Sequence, residues 1–333
     1  MQRLARAVAI RPGEGRLVAL VAGAFAAVEA GRGLGELGVA TLVVDRIGSD
    51  ILPVLYVGLG IVGLIITLGY GAALGRSVSA RMFPALLIVI AAVLAVEWLA
   101  VVAGPPLVLA IAWVSIFAAG MLLLTLIWTV GSLAFDTRQA KRLFPLLVSA
   151  AIVGSLAGYL SAIALQRFIS LEALILGEAV LLVVAAGLLH ALGDAARPRR
   201  GPDEARPGIV DALTSGAAYV AASPLMRLVA VAYVLLAILL FSIEFPFFTA
   251  MESAYPVASE LLTVLALLNA SVTLVAFLVG TLLANRLYAR LGVASVALAL
   301  PSVYLLGFGI WIVSFGAASA ILVRFSQQVT QRW

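Results

Sequence analysis

The sequence predicts an all-α polytopic membrane protein, and three observations carry that expectation. Of 333 residues, 64% are hydrophobic and only 11% charged, against roughly 25% charged in soluble domains. Mean hydropathy is +1.19. Apolar runs recur at about 20 residues, the length a helix needs to cross a hydrocarbon core of about 30 Å. Barrel strands would instead alternate over about ten residues, a pattern the chain lacks.

Helices are expected at about 16–44, 51–75, 81–103, 107–134, 143–166, 171–191, 226–250, 258–284 and 293–315, with a tenth opening near 318. Arg3, Arg6, Arg11 and Arg16 precede the first run, but no small-residue cleavage site follows a short apolar core. That run therefore reads as a retained helix and not a signal peptide. Orientation follows from the distribution of cations. Those four arginines fall on one side with Arg76, Arg81, Arg138, Lys141, Arg142, Arg197, Arg199, Arg200, Arg206, Arg227, Arg286 and Arg290, while only Arg46 and Arg167 fall on the other. The expectation is a multi-pass protein of the cytoplasmic (inner) membrane with a cytoplasmic N-terminus.

The one long polar connection, DAARPRRGPDEARPG (194–208), comes after six helices and has the Pro, Gly and charge of a linker. It divides the chain into an N-terminal six-helix half (1–192), a cytoplasmic linker carrying a short surface helix (193–225) and a C-terminal half (226–333). A weak repeat relates the halves. Glu29 and Glu36 in the first helix answer Glu244 and Glu252 in the seventh, and GAALGRSVSAR (71–81) answers GTLLANRLYARLG (280–292). Six helices, a basic loop and a second similar set resemble the organisation of the major facilitator fold, whose halves are parallel repeats about an axis normal to the membrane. On that resemblance twelve helices are expected. The nine to ten present, ending in ILVRFSQQVTQRW (321–333), read as a C-terminally incomplete bundle.

The chemistry-bearing residues lie inside the spans. Glu29, Arg32 and Glu36 fall within about 60° of one another on a helix. Ionised groups at that depth face a protein interior or a wet cavity. One arginine cannot neutralise two carboxylates, so the stripe reads as a substrate or proton site in preference to a packing cluster. Thr125 and Thr129 with Trp128 and Ser132, and Asn269 with Thr273, are uncharged stripes at the same spacing. Glu244 lies two residues before Pro246. Arg324, Gln327, Gln328 and Gln331 share one face that suits a cavity and not lipid, and Arg324 is expected to face Glu29 or Glu244, because a desolvated guanidinium wants a carboxylate.

Other features read as ordinary. Glu97, Glu172 and Glu178 sit within about two turns of helix ends, where a carboxylate can reach water. His190 is the one histidine, and cysteine is absent. Neither a metal nor any other cofactor is therefore expected. GLGELG (33–38) fits the dinucleotide pattern but follows no strand. GSLAG (154–158) and GYGAALG (69–75) read as close helix packing. No nucleophile with a base, no phosphate-cradling loop and no basic face for nucleic acid is found, so enzymatic and nucleic-acid functions are not expected.

The stretch FDTRQAKRLFPLLVSAAIVGSLAG (135–158), with SPLMR (223–227) and the glutamate-bearing first helix, resembles the ATP/ADP translocase family and its bacterial relatives. That resemblance implies nucleotide exchange across a membrane, and some relatives carry cytosolic repeat or cyclic-nucleotide-binding modules. ATP, with about four negative charges, wants a cationic site. Arg32 and Arg324 stand against Glu29, Glu36 and Glu244, a net charge of −1 that does not supply one.

These readings converge on a secondary transporter of a small polar or anionic solute, nucleotide-like by resemblance and proton-coupled, whose partners are the solute and the bilayer. Arg76, Arg81, Asn285, Arg286 and Arg290 in the matching turns, with Asp136, Arg138 and Arg142, are expected as cytoplasmic latch residues. The alternative is a transport-silent membrane sensor or anchor for a cytosolic regulatory domain.

Overall fold

The structure, a computed structural model, describes residues 10, 11, 13–76, 82–193 and 209–332. Its elements are α1 (Gly15–Arg46), a short 3-10 turn (Ser49–Ile51), α2 (Leu52–Arg76), α3 (Met82–Ala103), α4 (Pro106–Ala134), α5 (Thr137–Leu165), α6 (Ala173–Leu192), α7 (Ile209–Ala222), α8 (Pro224–Ala254), α9 (Ala258–Leu282), α10 (Ala284–Ala297), α11 (Ala299–Val313) and α12 (Ala317–Arg332). Among the described residues nine segments are long and apolar enough to cross a membrane. The chain is a multi-pass helical membrane protein.

The helices begin and end where local chemistry asks. Pro106 and Pro224 occupy first-turn positions, where a missing N–H costs nothing, and Ser223 caps α8 by accepting from Met226 N at 3.4 Å. The span expected over 293–315 is found as the apolar segment Ser295–Val313, and just before it Gly292, at φ +76°, breaks the helical register within α10. Only glycine takes that backbone without strain.

One boundary differs from expectation by six residues. α5 starts at Thr137 and not near 143, because DTRQ is a capping box. Asp136 Oδ1 accepts from Arg138 N and Gln139 N at 2.9 and 2.7 Å, and Asp136 N donates back to Gln139 Oε1 at 3.1 Å. The polar run read as a loop is the first turn of the helix. The linker 194–208 lies outside the described residues, while the short helix expected after it is α7.

α1 is the centre of the bundle and packs chiefly on α5 and α6, then α4. Glycine makes the first contact. A Cβ on Gly154 or Gly158 would lie 2.3 or 2.4 Å from the carbonyl oxygens of Ala26 and Ala30, so the GSLAG pair lets the α5 backbone touch α1. Apolar side chains such as Phe25, Leu42, Leu87, Ile116 and Leu123 are buried around this axis. Outward stripes stay apolar, as in Val54, Val57, Ile61 and Leu64 of α2, all more than half exposed. In lipid that exposure is the ordinary state of a span. The later helices join through α9, which lies on α5, and α12 packs on α11, α9 and α8.

Candidate functional site

Two cavities, of about 930 and 550 Å³, lie between the first six spans and the later helices. They share Arg32, Glu36, Leu124, Tyr159 and Arg332 in their walls. The larger continues to Phe144 and Pro145 near the start of α5 and to Gly280 and Thr281 near the end of α9, which is the end of the bundle where α1 begins.

The α1 stripe is one ion-paired unit. Arg32 Nη1 donates to Glu29 Oε1 at 3.1 Å, and Nη2 donates to Glu36 Oε1 at 2.8 Å. Helical spacing makes this possible, with one partner a turn behind and the other a turn ahead. Ser155 of α5 adds its hydroxyl to Glu29 Oε2 at 3.2 Å. A single planar guanidinium thus spans both carboxylates with separate nitrogens.

The second unit is built on α12. Arg324, only 8% exposed, is ion-paired with Glu244 of α8, one of the two partners the sequence predicts for it. It also donates to Gln327 Oε1 at 3.1 Å and lies over the Phe247 ring at 5.8 Å. Gln327 is fully buried and passes the network on to Gln331 Oε1 at 2.6 Å and Tyr304 Oη at 3.3 Å. Gln328 lines the smaller cavity, as does Asn269, whose amide donates to Leu265 O at 2.9 Å.

Other expected site residues lie elsewhere. Thr125 and Thr129 line neither cavity, and their hydroxyls return to the carbonyls of Met121 and Thr125 at 3.0 and 2.7 Å. Equal spacing does not mean a shared face, and Leu124 and Trp128 are the side chains of that helix that reach the larger cavity. Asp136 caps α5, and Arg142 pairs with Glu14 at 2.9 Å, so both act within the first six spans. Arg138, Arg286 and Arg290 are exposed. Arg81 and the side chains of Arg76 and Asn285 lie outside the described residues.

Three residues that sequence reasoning leaves aside belong here. Ser155 and Tyr159 follow the glycine pair of GSLAGY and face α1 for the same reason the glycines do. Arg332 lines both cavities and donates to Thr273 Oγ1 at 2.9 Å. With it the walls carry Glu29, Glu36 and Glu244 against Arg32, Arg324 and Arg332, a balanced set. Glu178 is a correction. Expected near water, it is 0% exposed, because the α6 face on which it stands is the one pressed against α1.

At the end where α1 finishes, hydrogen bonds join the two groups of helices. Gly48, at φ +103°, turns the chain so that Ser49 N donates to Glu252 Oε2 at 2.9 Å. Ser49 Oγ meets Thr249 Oγ1 at 3.1 Å, and Gln166 Nε2 donates to Thr263 Oγ1 at 2.8 Å. No family model and no curated protein matches the chain. What the structure defines is a multi-pass helical membrane protein with a charged internal cavity.

Proposed function

We propose that the protein is a secondary active transporter of the major facilitator type, in the cytoplasmic membrane with its N-terminus inside. It moves a small polar or anionic solute by alternating access and does no covalent chemistry. The observation that carries this reading is the smaller cavity between the two groups of helices, walled at mid-depth by Arg32 and Glu36 on one side and Glu244 and Arg324 on the other. Charges at that depth are expensive and mark solute or ion paths.

The halves are tied at the end where α1 finishes, through Ser49, Glu252, Thr249, Gln166 and Thr263, and the larger cavity leads toward the other end. With the arginine-rich turns in the cytoplasm, this conformation faces inward. Its fixed charges sum to zero, and an anionic solute binds by taking guanidinium groups from their carboxylates. The resemblance of residues 135–158 to the nucleotide translocases names the first solutes to try.

Counterflow in proteoliposomes tests the reading. Vesicles holding the full-length protein and preloaded with an unlabelled nucleotide or small organic anion should accumulate the labelled form, and Arg324→Gln should abolish this. Folded wild-type protein that exchanges no member of a broad anion panel would end the transporter reading.

A further inference from the structure

Glu178 stands apart from the other acids of the bundle. It is fully buried, and neither carboxyl oxygen has a hydrogen-bond partner among the described residues. Glu29, Glu36 and Glu244 each hold a guanidinium. A bare carboxylate excluded from water and from every cation is costly, and the ordinary way out is for the group to keep its proton.

The surroundings fit a neutral acid. Glu178 rests on Gly31 and Gly35 of α1, where an added Cβ would lie 3.4 Å from Glu178 Cγ at the first and 1.7 Å from Oε2 at the second. A side chain at position 35 would overlap the carboxyl itself, and one at position 31 would crowd the α6 backbone at Glu178. Those glycines sit roughly 90–130° around α1 from the centre of the Glu29–Arg32–Glu36 stripe, so Glu178 lies to the side of the cavity-facing stripe and not on it. α6 packs on α1 and α3, and the charged groups acting on Glu178 are Glu36 and Arg32 of α1 and Glu97 of α3. Glu97 Oε2 is itself buried without a partner. Arg32 is already engaged by two carboxylates, so no free cation answers Glu178 from those helices. No group of three or more acidic, histidine or cysteine side chains able to hold a metal occurs among the described residues, and two acids make a poor cage for a cation.

We propose that Glu178 is a proton-binding site of the protein: it carries a proton in this conformation and releases it only when α1 separates from α6. On release the Glu178 O–H bond breaks, the proton passes to water admitted from the cavity, and the carboxylate left behind cannot return to the glycine face until it is protonated again. Helix packing and proton occupancy are thereby tied together, which is what coupling requires. The consequence for transport rests on the function proposed above; the proton itself does not.

Infrared spectroscopy of the full-length protein in lipid nanodiscs reads the proton directly. At neutral pH wild type should show a carbonyl band of a protonated carboxyl that shifts slowly in D2O, which needs no variant. The band should be lost in Glu178→Gln and kept in Glu97→Gln. A wild type without such a band, a band that survives in Glu178→Gln, or a band converted to carboxylate by sodium at constant pH would each overturn the proposal. In proteoliposomes Glu178→Gln should lose accumulation driven by a proton gradient while retaining counterflow. Undiminished accumulation would overturn the coupling role. Should wild type show the band but no counterflow at all, the transporter reading falls and the proton site stands.

Discussion

Arg324 of α12 and Glu244 of α8, 80 residues apart in the chain, form an ion pair whose side chains are 9% and 20% exposed. Such a pair adds little net stability over an apolar pair, yet removing one member leaves the other charge buried and alone. Glu244→Gln or Arg324→Gln should each destabilise the protein by about 3 kcal/mol. The double variant should lose much less than the sum of the two. Thermal unfolding of the four proteins in one detergent measures this coupling. Additive losses would mean the pair is not formed in the membrane.

The α1–α5 contact gives a sharper sign test. Glycine to alanine inside a helix ordinarily gains about 1 kcal/mol. At Gly158 the new Cβ would lie 2.4 Å from Ala30 O, a backbone atom that cannot move alone, whereas at Gly60 nothing stands within 4 Å. Overpacking of that kind costs about 1–3 kcal/mol. Gly158→Ala should therefore lower the melting temperature and Gly60→Ala should leave it unchanged or raise it. Differential scanning fluorimetry compares them.

Most span boundaries, the short helix α7 and the Arg324–Glu244 pair are legible in the sequence because each rests on a local rule: apolar run length, a helix after a polar linker, and the need of a buried guanidinium for a carboxylate. The place of Glu178 is not legible in that way. Like Glu172, which stands just before α6 and pairs with Arg46 at the bundle end, it falls within about two turns of the helix start. The difference is which neighbour covers the face, and this depends on Gly31 and Gly35 some 140 residues earlier. Thr125 and Thr129 fail for the converse reason, since a polar stripe can satisfy its hydroxyls on its own backbone.

Acid should loosen the start of α1. The Glu14 carboxyl is held down to about 2, first by the backbone N–H of Arg11 and then by the Arg142 side chain, with Gln139 adding a smaller share. A carboxyl depressed in the folded state contributes stability above its unfolded value of about 4.3, and that stability is lost as pH falls through the folded value. Between those limits wild type should lose thermal stability with falling pH more steeply than Glu14→Gln. At the other end of the bundle burial raises Glu172, but hydrogen bonds from its own backbone, Arg46 and Ser170 outweigh it, so its carboxyl also lies below the usual range. A parallel pH response in wild type and Glu14→Gln would show that the Glu14–Arg142 contact does not fasten α5 to α1.

The last prediction concerns the end where α1 finishes. Ser49 Oγ and Thr249 Oγ1 lie 3.1 Å apart across the two groups of helices, close enough for a disulfide once both are cysteine. The chain contains no cysteine, so the background is clean. Alternating access requires this end to open in each cycle, which breaks the Ser49–Thr249 and Ser49–Glu252 contacts together. The double variant Ser49→Cys with Thr249→Cys should therefore lose counterflow on oxidation and regain it on reduction, while either single variant should ignore the oxidant. Mass spectrometry of the same sample establishes that the bridge has formed. A bridged protein that still exchanges solute at the wild-type rate would mean that this end stays closed throughout the cycle, and the rocking of two halves about the central charges would have to be abandoned.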